Sequence, residues 1–113
     1  MTEGDSSINS ARSLAYDVLR EFSKAEEPEL KDLLDDALRA SDLSSGDRRL
    51  AAELVYGTVR WRRRLDRIIK ECLSHRFNVK PAARELLRIG IHQLLIMDRV
   101  PPHAAIYETV ELA

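Results

Sequence analysis

One stretch, Arg48 to His75, sets most of what this chain can fold into, because it is apolar on one side and rich in arginine on the other. Its middle reads LVYGTVRWRRRLD, from Leu54 to Asp66. At about 100° per residue, Leu50, Leu54, Gly57, Trp61, Leu65, Ile68 and Cys72 stay in phase as one stripe. Arg49, Tyr56, Arg60, Arg63, Arg64 and Arg67 fall on roughly the opposite side. The stripe keeps its phase through Gly57, so one continuous helix is expected, with Gly57 and Trp61 as core contacts. A glycine inside a helix costs ~1 kcal/mol relative to alanine. Its place on the apolar face predicts close approach by another helix, a kink being the competing reading.

The flanking segments read as further helices. Residues 1–8 are expected to form a disordered tail, and residues 9–113 a single domain. A first helix is expected from about Asn9 to Lys24, with Ala11, Leu14, Ala15, Val18, Leu19 and Phe22 inward. Pro28 suits the first turn of a second helix, which runs to about Ala40 with Leu30, Leu33, Leu34, Ala37 and Leu38 inward and an acidic, solvated outer side. Ser44, three residues before Asp47, caps the long helix. Pro81 opens a helix to about Asp98, and its apolar set of Ala83, Leu86, Leu87, Gly90, Ile91, Leu94 and Met97, widened by Ile89 and Ile96, predicts a central position. Gln93 falls within that face and needs a partner if buried. A last helix is expected from His103 to Ala113. No segment alternates with a period of two, so the chain is expected to be all-α, a bundle of about five helices.

Charge divides the chain. Residues 1–47 hold five basic and twelve acidic residues, net −7, and residues 48–113 hold thirteen and seven, net +6. The overall −1 hides a basic half that points toward nucleic acid. Of the 18 basic residues only Lys24, Lys31, Lys70 and Lys80 are lysine. Arginine's planar fork suits phosphate, although a GC-rich genome also raises arginine content. The single cysteine excludes an internal disulfide and fits a reducing cytoplasm. No run of about 18 apolar residues exists, so no membrane partner is expected.

Catalytic signals are poor. Glycines occur only at 4, 46, 57 and 90, too scattered for a phosphate-cradling loop. Cys72 and His75 have a spacing that could bring two metal ligands together, but no second ligand pair is present, and no metal is expected. The arginine face is the stronger signal. Arg49–Glu53, Arg67–Glu71 and Arg62–Asp66 stand at i, i+4, each pair worth only a few tenths of a kcal/mol. Arg60, Arg63 and Arg64 have no acid four residues away on either side, which points to phosphate contact.

Three segments carry a resemblance: LAAELVYGTVRWRRRLD from Leu50, LLRIGIHQLL from Leu86 and RVPPHAAIYETVELA from Arg99. Together they resemble the N-terminal domain of the Sun/Fmu-type ribosomal RNA cytosine-5 methyltransferases, itself similar to the NusB antitermination factor. The resemblance implies a NusB-like helical bundle that docks ribosomal RNA for a separate catalytic domain. That domain would use S-adenosylmethionine and a pair of cysteines, whereas this chain is expected to carry no cofactor and, by itself, no methylating activity. The RNA-binding candidates are Arg60, Arg63, Arg64, Arg67, Arg49 and Arg12. The alternative is a NusB-type antitermination or scaffold protein that binds RNA and a protein partner. The free-standing factors carry an arginine cluster at the start of the first helix, where this chain has Arg12 alone. The resembling family also continues beyond the Glu108–Glu111 segment. The chain is therefore expected to be a fragment of a longer one, covered by its own C-terminal catalytic domain or by self-association through an incomplete core.

Overall fold

The computed structural model describes residues 3–26, 29–73 and 79–97, with side chains from Ser10 onward. Among them are five helices and no strand: α1 Glu3–Lys24, α2 Leu30–Ala40, α3 Ser45–Arg60, α4 Arg62–Cys72 and α5 Pro81–Leu95. The all-α expectation holds, but its five helices are partitioned differently. The expected long helix is two, and the expected helix from His103 lies outside the described residues, as do Pro28 and His75.

α1 begins at Glu3 and not near Asn9, so the backbone of residues 3–8 is helical where a tail was expected. Gly4 and the serines lower helix propensity there, but propensity is a weak prior beside the long helix that follows. α1 packs mainly on α3 and then on α2, while α5 lies against α3, α4 and α1. The core is aliphatic: Ala15, Val18 and Leu19 of α1, Leu34 of α2, Leu54 and Val55 of α3, and Ile89 of α5. The Ser44 hydroxyl accepts the Asp47 amide at 3.2 Å, so the cap read from the sequence forms. Arg48 donates to the Leu38 carbonyl at 3.1 Å, placing a cation at the C-terminal end of α2.

The long stripe breaks at Trp61 and not at Gly57. Trp61 adopts φ −99° and ψ 16°, well off the helical ψ of about −42°, and separates α3 from α4. Trp61 is consequently 37% exposed and is not a core contact, and Cys72 is exposed too. The buried line runs through Ala51, Leu54, Val55 and Thr58, then Leu65 and Ile69. Leu54 and Leu65 are separated by three turns and only about 20° of phase, which is why periodicity could not register the break between them.

α5 departs in part from expectation: Ile89 and Gln93 are buried and Met97 packs on the core as expected, but charged residues share the interior. Its buried side chains are Glu85, Arg88, Ile89, His92 and Gln93, while Leu87, Leu94 and Leu95 are exposed. The polar residues are inside because each of Glu85, Arg88 and Gln93 meets a charged or amide partner there. Gln93 is the satisfied structural amide its position required: it accepts from Arg12 Nε at 2.7 Å and donates to the Ile89 carbonyl at 3.1 Å.

Gly57 is a point of close helix approach, as its position on the stripe predicted. A Cβ built there would overlap the His92 imidazole of α5. His92 is buried and has little room to yield. Gly57→Ala should therefore destabilise the fold by roughly 1–3 kcal/mol through overpacking, despite alanine's better helix propensity. Gly46→Ala meets nothing within 4 Å and should be neutral or stabilising by up to ~1 kcal/mol. Urea denaturation of the two variants checks this, and equal midpoints would contradict it.

Candidate nucleic-acid interface

Arg20, Arg39 and Arg48 aside, the arginines of the described residues fall into two groups. The first group is spent on the fold. Arg88 donates from Nε and Nη2 to the two oxygens of Asp66 at 2.7 and 3.0 Å, and from Nη1 to Glu85 at 2.7 Å. Arg84 reaches Asp66 at 3.9 Å, and Arg62 reaches Glu85 at 3.8 Å and the Ser23 hydroxyl at 3.1 Å. Burial alone would lower the Arg88 pKa, but hydrogen bonds and attraction from Asp66 and Glu85 outweigh it and raise the pKa above the ordinary value. The expected Arg62–Asp66 pair is thus replaced, since Asp66 faces α5 and its fork is taken by Arg88.

Arg12 also belongs to this group. It is 1% exposed and bound to Gln93, so it is corrected from a candidate RNA contact to a core residue. Its position on α1 faces α5 across the bundle, where a guanidinium satisfies a buried amide.

The second group is Arg49, Arg60, Arg63, Arg64 and Arg67. All five are exposed, and none has a carboxylate within 4 Å among the described residues. The expected Arg49–Glu53 and Arg67–Glu71 pairs do not close, as i, i+4 pairs in water gain too little to hold two long side chains together. Arg63, Arg64 and Arg67 lie on α4 at spacings that share a face. Arg49 and Arg60 lie eleven residues apart on α3, about three turns and ~16 Å along one side.

The break at Trp61 places these charges on a distinctive backbone. α4 starts at Arg62 with no side-chain cap and no acid in its first turn, so its leading amides are without a side-chain acceptor where Arg63 and Arg64 project. A helix N-terminus carries about half a positive charge and disfavours cations by ~0.3–1 kcal/mol each. That unfavourable local arrangement becomes favourable when an anion arrives. Sequence reading identified the five exposed arginines; it missed the helix start that joins amides to them, because the apolar phase does not change there.

Beside this junction is an open cavity of about 540 Å³ between α3 and the end of α5, walled by Tyr56, Gly57, Trp61, His92, Ile96 and Met97, with Glu53 and Arg60 also lining it. The Arg64 guanidinium stands 6.0 Å from the centre of the Trp61 ring, at the outer reach of a cation–π contact. His92 is buried, its Nδ1 has no hydrogen-bond partner among the described residues, and burial lowers its pKa against a partial raising by Glu53.

Comparison with known proteins agrees with the fold. Residues 9–113 match the NusB family. A probable ribosomal RNA small subunit methyltransferase B of Synechocystis is 38% identical over 106 residues, covering 92% of this chain and 23% of that protein. The ribosomal RNA small subunit methyltransferase B of Thermus thermophilus is 37% identical over 102 residues, covering 90% of this chain and 25% of that protein. The protein of the same description from Pseudomonas putida is 43% identical over 68 residues, covering 59% of this chain and 15% of its own length. The chain thus spans a quarter or less of these relatives. No solved structure matches it, and among the described residues no helix is long and apolar enough to cross a membrane.

The two arginine groups should respond differently to substitution. Arg88→Met leaves Glu85 buried without its donor and should cost about 3 kcal/mol, the low end for a buried pair because Asp66 keeps contact with water. Arg63→Met should change stability by less than ~0.5 kcal/mol. Chemical denaturation distinguishes these outcomes, and similar losses in both would contradict the division.

His92 gives a pH test. The unfolded chain takes up a proton near pH ~6.5, whereas the folded chain resists until lower pH. Stability from neutral His92 is therefore full above that value and is lost as pH falls through it. The denaturation midpoint should drop more steeply between pH 7.5 and 5.5 in the unaltered chain than in His92→Gln. Parallel profiles would contradict the buried neutral imidazole.

Proposed function

This chain belongs to the NusB family, and from that premise we propose that it is an RNA-binding domain. In this reading it docks ribosomal RNA for a separate S-adenosylmethionine-dependent cytosine-5 methyltransferase domain in the bacterial cytoplasm. The observation that carries the reading is the set of exposed, unpaired arginines gathered at and beside the uncapped start of α4. Phosphates of a single strand run past Arg60, Arg63, Arg64 and Arg67, with Arg49 extending the track along α3. Amides at the start of α4 and the arginine forks both donate to phosphate oxygen.

The ribosomal RNA assignment draws support from the Synechocystis and Thermus thermophilus relatives, a probable and a named ribosomal RNA small subunit methyltransferase B. In this chain the arginines hold and orient the strand, and S-adenosylmethionine chemistry belongs to the other domain. Exposed Leu87, Leu94 and Leu95 on α5 leave an apolar surface that suits such a neighbouring domain.

Binding by about four phosphate contacts should make log affinity for single-stranded RNA fall with log salt at a slope near −3. An Arg60→Glu/Arg64→Glu double variant should lose at least tenfold in affinity at 0.1 M salt while keeping its denaturation midpoint. Filter binding across a salt series checks both. Salt-independent binding, or normal binding by the double variant, would refute the assignment.

A further inference from the structure

We propose that the cavity beside Trp61 is a subsite that takes one unstacked base of a single-stranded RNA, an inference that rests on the RNA-binding reading above and assigns it a second, uncharged contact. Its walls have the chemistry of a base and not of a phosphate. Tyr56 and Trp61 are the only exposed large aromatics among the described residues, at 42% and 37% exposure, and both line this one cavity. Aromatic rings left in water next to a basic track are what successive bases stack on, whatever their sequence.

The charges around the cavity sort the two parts of a nucleotide. Arg60 lines the same cavity, and Arg64, over the Trp61 ring, connects it to the cationic face of α4. The phosphate is thus drawn to the arginines and the neutral base is the part left to enter. The volume of about 540 Å³ lies within the range of small-molecule sites and exceeds what one ring system needs.

Independent support comes from His92. Its imidazole lines the cavity and is 3% exposed, and its Nδ1 is buried without a partner among the described residues. A base edge carries both donors and acceptors and could supply what this nitrogen lacks. Gly57 fits the same arrangement: with no Cβ it lets the His92 imidazole seat against α3 and form part of the cavity wall.

Trp61 is the only tryptophan in the chain, so its fluorescence reports this site alone. The test compares a ten-residue oligouridylate with an abasic ribose–phosphate strand of equal length, by Trp61 emission and by affinity across a salt series. Both strands should bind with the same salt slope. The oligouridylate should quench Trp61 and bind roughly five- to hundredfold more tightly, the range expected for loss of one stacked base. Trp61→Leu should abolish that preference without changing the slope, and Trp61→Phe should keep most of it. Equal affinity for the two strands with unchanged emission would overturn the base subsite while leaving the arginine track intact. Failure of both strands to bind would instead overturn the RNA-binding reading on which it rests.

Discussion

One guanidinium decides how the last described helix sits. Arg88 lies between Asp66 of α4 and Glu85 of its own helix, bonded to both. A buried arginine whose N–H groups meet carboxylate acceptors is tolerable, whereas the same group without acceptors would be costly. α5 must therefore present its polar side to α4. That orientation brings Gln93 to Arg12 and His92 to Gly57, and it turns Leu87, Leu94 and Leu95 outward. The aliphatic core of α1, α2 and α3 accounts for compactness, but the placement of α5 follows from polar contacts.

Those contacts also explain why the remaining arginines are free for other work. Asp66 and Glu85, which face the α4–α5 contact, are occupied by Arg88, Arg84 and Arg62. No acid is left within an ion-pair distance of Arg60, Arg63, Arg64 or Arg67 among the described residues. Because α4 begins within the basic run, helix dipole and side-chain charge add at one end. The surface that results is strained by its own charge and would be relieved by an anion, and in the proposed reading the exposed aromatic pair beside it offers an RNA strand a second kind of contact.

Helix positions and the Ser44 cap were legible in the sequence because they follow from local pattern. Gly57 was legible too, since a glycine on an apolar helical face has few other uses. The exposed arginine set followed from the arginine-rich face of the helical pattern, whereas counting acids one turn away wrongly paired Arg49, Arg62 and Arg67, and Arg12 was misplaced. A single arginine amid apolar helix positions gives no sign of direction; its partner, Gln93, lies 81 residues away. The same blindness misplaced part of the buried side of α5, where pairing with Asp66 and Arg12 drew Arg88 and Gln93 inward beside Ile89. The break at Trp61 left no mark because three whole turns separate Leu54 from Leu65, so the apolar phase returns to itself across it. Local periodicity reports which residues could face inward, and the pairing of charges across helices settles which of them do.

The central claim is that arginines inside this bundle hold the fold while those around the α3–α4 junction meet RNA. Nuclear magnetic resonance of the arginine side-chain Nε–Hε groups tests it directly, with a single-stranded RNA titrated into the labelled protein. The account predicts progressive shifts for Arg60, Arg63, Arg64 and Arg67, with Arg12 and Arg88 unmoved. Shifts concentrated on Arg12 and Arg88, or an unchanged α4 set at saturating RNA, would contradict it.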